Sequence, residues 1–140
     1  MKFRVRSPER IVFEQDDVGL VVLPGEAGDL GVMPDHTPVL TPLRIGVVRV
    51  RGADDAAEEA LLTVGGGFAE ITPERVDILA DSAERVEEID SDRAQRARER
   101  AQERLARAER EAGEIDIDRA RLALLRALNR LEALEKTHRR

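Results

Sequence analysis

The 140-residue sequence predicts a β plus α protein: an N-terminal antiparallel β-sandwich followed by a C-terminal antiparallel two-helix hairpin. Three observations predict it. Up to about Ala83 the apolar residues come in short runs separated by turn residues, roughly eight to twelve residues apart, as in a sandwich or barrel. After Ser82 there is no proline and the only glycine is Gly113, while Ala, Leu, Arg and Glu dominate, a composition that favours helix. In that second half the apolar positions recur at steps of three and four. The expected division assigns residues 1–86 to the β domain and 87–140 to the helices.

Taken in order, Phe3 and Val5 alternate with Lys2, Arg4 and Arg6, and Val18 to Leu23 stops at Pro24-Gly25. Val48 and Val50 alternate with Arg49 and Arg51. Leu61 to Val64 ends in Gly65-Gly66-Gly67, which reads as a bulge or tight turn between strands. Ile71 is separated from Val76, Ile78 and Ala80 by Thr72-Pro73-Glu74-Arg75. The first helical stripe is Ala94, Ala97, Ala101, Leu105, Ala108 and Ala112; the second is Ile117, Ala120, Leu124, Ala127, Leu131 and Leu134. The connection around Gly113-Glu114-Ile115 is so short that the helices should fold back on each other. An alanine stripe buries little area, at about 25 cal/mol for each Å², so the hairpin should be weakly held.

The formal charge is −6, from 23 basic and 29 acidic side chains. Residues 1–86 carry 9 basic and 16 acidic side chains (9 − 16 = −7) and residues 87–140 carry 14 and 13 (14 − 13 = +1). With only Phe3, Phe13 and Phe68 aromatic, none of them in a basic stretch, no nucleic-acid partner is expected. The absence of cysteine excludes disulfides, thiolate metal sites and thiol catalysis. The first six residues alternate charge with apolar side chains instead of forming a signal peptide's apolar core. No apolar run approaches the roughly 20 residues of a membrane-spanning helix, so membrane association should be peripheral, through a partner.

Enzyme chemistry finds no constellation. The histidines are His36 and His138, far apart in sequence and too few for a multi-histidine metal site. Ser7, Ser82 and Ser91 lie in no nucleophile-elbow sequence, and Gly65-Gly66-Gly67-Phe68 lacks the Lys-Ser/Thr of a phosphate-binding P-loop. The acidic, Ala-rich stretch Asp54 to Glu59 has no role legible in the sequence.

Two segments share the pattern Ile-Asp-x-Asp-Arg-Ala, at Ile89–Ala94 and Ile115–Ala120. Each stands where a helix should begin, and an Asp at the N-cap accepts bonds from otherwise unpaired amides. Arg93, Arg96 and Arg100 fall at steps of three and four on one helix, and Arg126 and Arg130 lie one turn apart on the other. If those faces adjoin near Asp90 and Glu84, converging guanidinium groups suit a polyphosphate.

Order and motifs together resemble the epsilon subunit of bacterial F-type ATP synthases over essentially the whole chain. The resemblance rests on the run from Pro24-Gly25-Glu26 through Gly28-Asp29-Leu30-Gly31-Val32-Met33-Pro34-Asp35-His36-Thr37-Pro38, on Gly46-Val47-Val48-Arg49-Val50, on Gly66-Gly67-Phe68-Ala69-Glu70-Ile71 and on Val76-Asp77-Ile78-Leu79-Ala80-Asp81. It implies a non-catalytic central-stalk subunit at the cytoplasmic face of the bacterial plasma membrane. The sandwich would dock on the gamma subunit and the c-subunit ring, Asp29 at the ring and His36 in the gamma-facing loop. The hairpin would inhibit ATP hydrolysis when extended toward the catalytic β subunit. Some relatives bind ATP in the folded form, and the matching positions here are Glu84, Ile89, Asp90, Arg93, Ala94, Arg100, Arg126 and Arg130. No cofactor is required; ATP, alone or with Mg²⁺, is the implied regulatory ligand. The alternatives are a purely structural stalk adaptor and a freestanding nucleotide-binding sensor. The second repeat copy should be a cap only.

Overall fold

A computed structural model describes residues 1–111 and 116–138, for His138 the backbone alone. Ala112 and the connection expected around Gly113-Glu114-Ile115 lie outside the described residues. The chain forms two compact units, Met1–Val86 and Glu87–Arg140.

The first unit contains eight strands: β1 (Lys2–Arg6), β2 (Ile11–Gln15), β3 (Val18–Gly25), β4 (Gly28–Val32), β5 (Val39–Gly52), β6 (Ala60–Ile71), β7 (Arg75–Ala80) and β8 (Ala83–Arg85). They hydrogen-bond in the order β2-β1-β7-β6-β5-β3-β4, with β8 also on β6. Alternation decides the faces, because successive strand residues point to opposite sides. Phe3, Val5, Ile71, Val76 and Ile78 face inward with Val21, Leu23, Val48, Val50, Leu62 and Val64 to form one core. Pairing is antiparallel except between β1 and β7, which run parallel from Lys2↔Arg75 to Arg6↔Leu79. Across that pair, Asp77 accepts from Arg4 Nε at 3.0 Å and meets Arg75 Nε at 3.0 Å, so a mostly buried carboxylate has a cation on each side.

β5 and β6 are the two long strands, and their register holds from Val39↔Ile71 to Val50↔Ala60 without a shift. On its other edge β6 changes neighbour: Leu62, Thr63 and Val64 pair with β8, and Gly67 to Ile71 pair with β7. The change falls at the glycine triplet, where Gly66 and Gly67 have φ of 93° and 131°. The triplet is therefore neither a bulge against β5 nor a turn between strands; it lies inside one strand. A side chain is what this point of the strand cannot accept, since a Cβ on Gly67 would overlap the Leu79 carbonyl oxygen and lie 2.8 Å from Ala80 Cα. The Gly/Pro-rich run after Leu23 also holds more order than a loop. Gly25↔Gly28 closes a β3–β4 hairpin over Glu26-Ala27, a two-residue connection.

A 3₁₀ turn (Val86–Glu88) spans the boundary, and the second unit continues with α1 (Ser91–Arg110) and α2 (Ile117–His138). The two helices pack against each other. Ala94, Ala101 and Ala108 are buried on α1, and Ala120 and Ala127 on α2, so both stripes present small side chains at seven-residue steps. Small residues let helix axes approach closely at little gain in buried area.

Two outcomes check this account. Gly67→Ala should lower the full chain's stability by about 3 kcal/mol through strain and backbone overlap, read by urea denaturation; an unchanged midpoint would refute the role given to the triplet. A chain ending at Val86 should give a cooperative thermal melt, and a non-cooperative one would show that the β unit depends on the helices.

Candidate functional site

The residues expected to hold a nucleotide are divided between the units. Glu84 is half-buried on β8, paired in register with the buried Thr63 of β6. The other seven lie in the helical unit. Ile89 is half-buried ahead of α1, and Asp90 is its N-cap, accepting from the Arg93 N–H at 3.1 Å. Ala94 is buried on α1. Arg93 and Arg100 are exposed on α1; Arg126 is exposed and Arg130 half-buried on α2. Thus the hairpin carries four guanidinium groups at the expected positions, two on each helix. The repeat has a structural role in both copies, because Asp116 accepts from the N–H groups of Asp118 and Arg119 at 3.0 and 3.3 Å. Capping satisfies the first-turn amides, which otherwise have no partner within the helix.

The two docking residues lie in the β unit. Asp29, on β4, is an exposed carboxylate that pairs with Arg44 Nη2 of β5. His36 follows Asp35, which takes a left-handed φ of 66° and donates its N–H to the Pro73 carbonyl at 2.9 Å. Aspartate tolerates that conformation better than most residues, and the bond ties the loop to the β6–β7 turn. His36 Nδ1 stands 2.7 Å from the Thr37 carbonyl. A carbonyl only accepts, so Nδ1 carries the proton and Nε2 is left for another partner.

Sequence reasoning missed an apolar surface on this unit. Pro42↔Phe68 and Phe68↔Leu79 are register neighbours across β5, β6 and β7, with Leu40 two residues from Pro42 on the same face. Leu40, Phe68 and Leu79 are 71%, 54% and 56% exposed. Their signal was available: each is apolar at a position where the alternation of its strand points outward. α2 holds a second such set in Leu122, Leu125 and Leu128, all exposed. A cleft of about 250 Å³ lined by Lys2, Arg4, Glu14, Asp16, Arg75 and Asp77 also opens on the β unit. Its arginines are engaged by Glu14 and Asp77, which makes it a poor anion site. Within the acidic stretch, Asp54 closes a turn on the Ala56 N–H at 3.1 Å and Glu59 pairs with Arg49 at 3.0 Å. That stretch caps the β5–β6 connection.

Comparison with known proteins agrees with this architecture. Residues 1–86 match the beta-sandwich domain of the ATP synthase delta/epsilon chain, and residues 87–135 match the long alpha-helix domain of the same family. The chain is 48% identical to the ATP synthase epsilon chain of Moorella thermoacetica, over 75% of this chain and 76% of that one. It is 41% identical to that of Desulforamulus reducens over 92% of each, and 44% identical to that of Bacillus subtilis over 75% and 76%. A chain of the Euglena gracilis mitochondrial ATP synthase superposes with a TM-score of 0.76 at 22% identity, over 97% of this chain and 79% of that one. A chain of the Tetrahymena thermophila enzyme superposes at 0.54 and 14% identity, over 98% and 95%; both show likeness of fold. The chain belongs to the delta/epsilon chain family of ATP synthases, and within it stands with the epsilon chains. It is thus a subunit of the ATP synthase and not itself an enzyme.

The caps give a local test. Asp90→Ala and Asp116→Ala should each cost the hairpin about 1 kcal/mol, read as a lower melting temperature of the helical circular dichroism signal at 222 nm. No shift in either variant would mean that these bonds do not support the helices.

Proposed function

We propose that the chain is the central-stalk subunit coupling the rotor to the catalytic head, with its sandwich docked on the gamma subunit and the c-ring and its hairpin inhibiting ATP hydrolysis under the control of ATP. In bacteria this places it peripherally at the cytoplasmic face of the plasma membrane. Among the described residues no helix is long and apolar enough to cross a membrane. The observation that carries docking is the outward ladder of Leu40, Phe68 and Leu79, each more than half exposed on the β unit. Contiguous apolar side chains held in water on a rigid sheet favour a protein partner. Asp29 and His36 supply polar groups on the same unit for the ring and for gamma.

For the hairpin, the supporting feature is α2, which combines exposed Leu122, Leu125 and Leu128 with exposed Arg119, Arg121 and Arg126. An amphipathic basic surface of that kind fits an acidic segment of the catalytic β subunit, with charge steering the encounter and apolar contact holding it. The ATP reading rests on linkage. A ligand bound only by the packed hairpin stabilises that form by about 2.7 kcal/mol at a hundredfold excess over its dissociation constant. Arg93 and Arg100 come from α1 while Arg126 and Arg130 come from α2, so a site using all four exists only while the helices pack together.

Deleting residues 88–140 should raise the ATPase activity of the assembled enzyme and leave assembly intact. Unchanged activity would reduce the subunit to a structural adaptor. In calorimetry on the full chain, Arg126→Ala and Arg130→Ala should each weaken ATP binding by tenfold or more, about 1.4 kcal/mol, whereas Arg119→Ala leaves it nearly unchanged. Equal binding by the Arg126 and Arg119 variants would make the first repeat copy a cap alone. Co-purification with gamma at one copy each separates both readings from a freestanding sensor.

A further inference from the structure

We infer that Arg44 is a positioning residue for Asp29, holding its carboxylate in the orientation that the c-ring reads; this rests on the docking reading above. The geometry spans three strands. Asp29 of β4 lies opposite Pro24 of β3, and Pro24 packs against Gly46 of β5, where an added Cβ would stand 2.5 Å from Pro24 Cβ and 2.7 Å from Arg44 Nη1. Arg44 therefore passes over Gly46 of its own strand and beside the ring of Pro24 as it crosses β3, since a side chain at Gly46 would stand in its way. At the far side its Nη2 meets the Asp29 carboxylate, while Nη1 donates to the Ile45 carbonyl at 3.4 Å.

The hairpin does not need this pair to keep its place. The β3–β4 ladder runs from Val21↔Val32 to Gly25↔Gly28, and the Glu26 N–H at the tip donates to the Pro42 carbonyl at 3.1 Å. Both partners of the pair are largely exposed, at 47% and 62% of their side chains, and such pairs add little stability. What Arg44 changes is the freedom of the Asp29 side chain. Its contact engages Oδ1, which leaves Oδ2 available to a donor on a polar loop of the ring. A pre-oriented acceptor spares the ordering cost that a freely rotating one incurs on binding.

The test uses the full chain in complex with its gamma subunit, titrated onto detergent-solubilised c-ring, with gamma affinity and melting temperature recorded for every variant. Arg44→Ala should weaken ring binding about fivefold, the size expected from freeing one side chain. Asp29→Asn should weaken it at least as much, and the double variant should be no weaker than Asp29→Asn alone. Arg44→Lys keeps the charge without the planar fork and should recover part of the loss. The exchanged pair, Asp29→Arg with Arg44→Asp, remakes the cross-strand contact but should leave ring binding lost, with gamma affinity and melting temperature at the wild-type values. Additive losses in the double variant, or full ring binding by Arg44→Ala alongside weak binding by Asp29→Asn, would overturn the role of Arg44 alone. Parallel loss of gamma affinity and melting temperature would make the pair merely structural. Full ring binding by Asp29→Asn would remove the docking reading at that residue and the proposal with it.

Discussion

The unbroken pairing of β5 with β6 is the constraint on which the rest of the β unit depends. Every register partner from Val39↔Ile71 to Val50↔Ala60 keeps the same offset, so the two strands bend together or not at all. Because β6 takes β8 as its second neighbour before the glycine triplet and β7 after it, one pair of long strands serves both neighbours. Glycine is required there because the chain turns with positive φ while the β7 backbone presses on the place a Cβ would occupy. A loop at that point would have left backbone groups of the strand centre without partners.

That arrangement also assembles the outward surface. Leu40 and Pro42 on β5, Phe68 on β6 and Leu79 on β7 come together because their registers align, and the same β5 continues through Arg44 to Gly46, beside the β3–β4 hairpin that carries Asp29. Apolar contact and directed polar groups are thus presented from one rigid sheet.

The helical unit follows the opposite logic. Buried alanines at seven-residue steps bring α1 and α2 close but bury little area, and aspartate caps on both helices keep each stable as an individual element. On the function proposed above, helices capped one by one and joined through small side chains could separate without unfolding. An element of that kind is suited to a ligand-biased change of state, because a small differential affinity suffices to move it.

Local chemistry determined much of this from the sequence alone. The period of two in Lys2–Arg6 and the period of three and four after Ser82 set strand and helix, the alanines named each helix's packing stripe, and the two Asp-x-Asp-Arg repeats marked helix starts that Asp90 and Asp116 indeed cap. These features depend on residues within a turn or a strand of one another, so they are legible without knowing what lies across the fold. The place of the glycine triplet inside β6, the order in the run after Pro24, the apolar ladder of Leu40, Phe68 and Leu79, and the bridge from Arg44 to Asp29 were decided only by the tertiary structure. Each depends on which strand lies beside which and in what register, and pairing across strands leaves no periodic trace in the sequence.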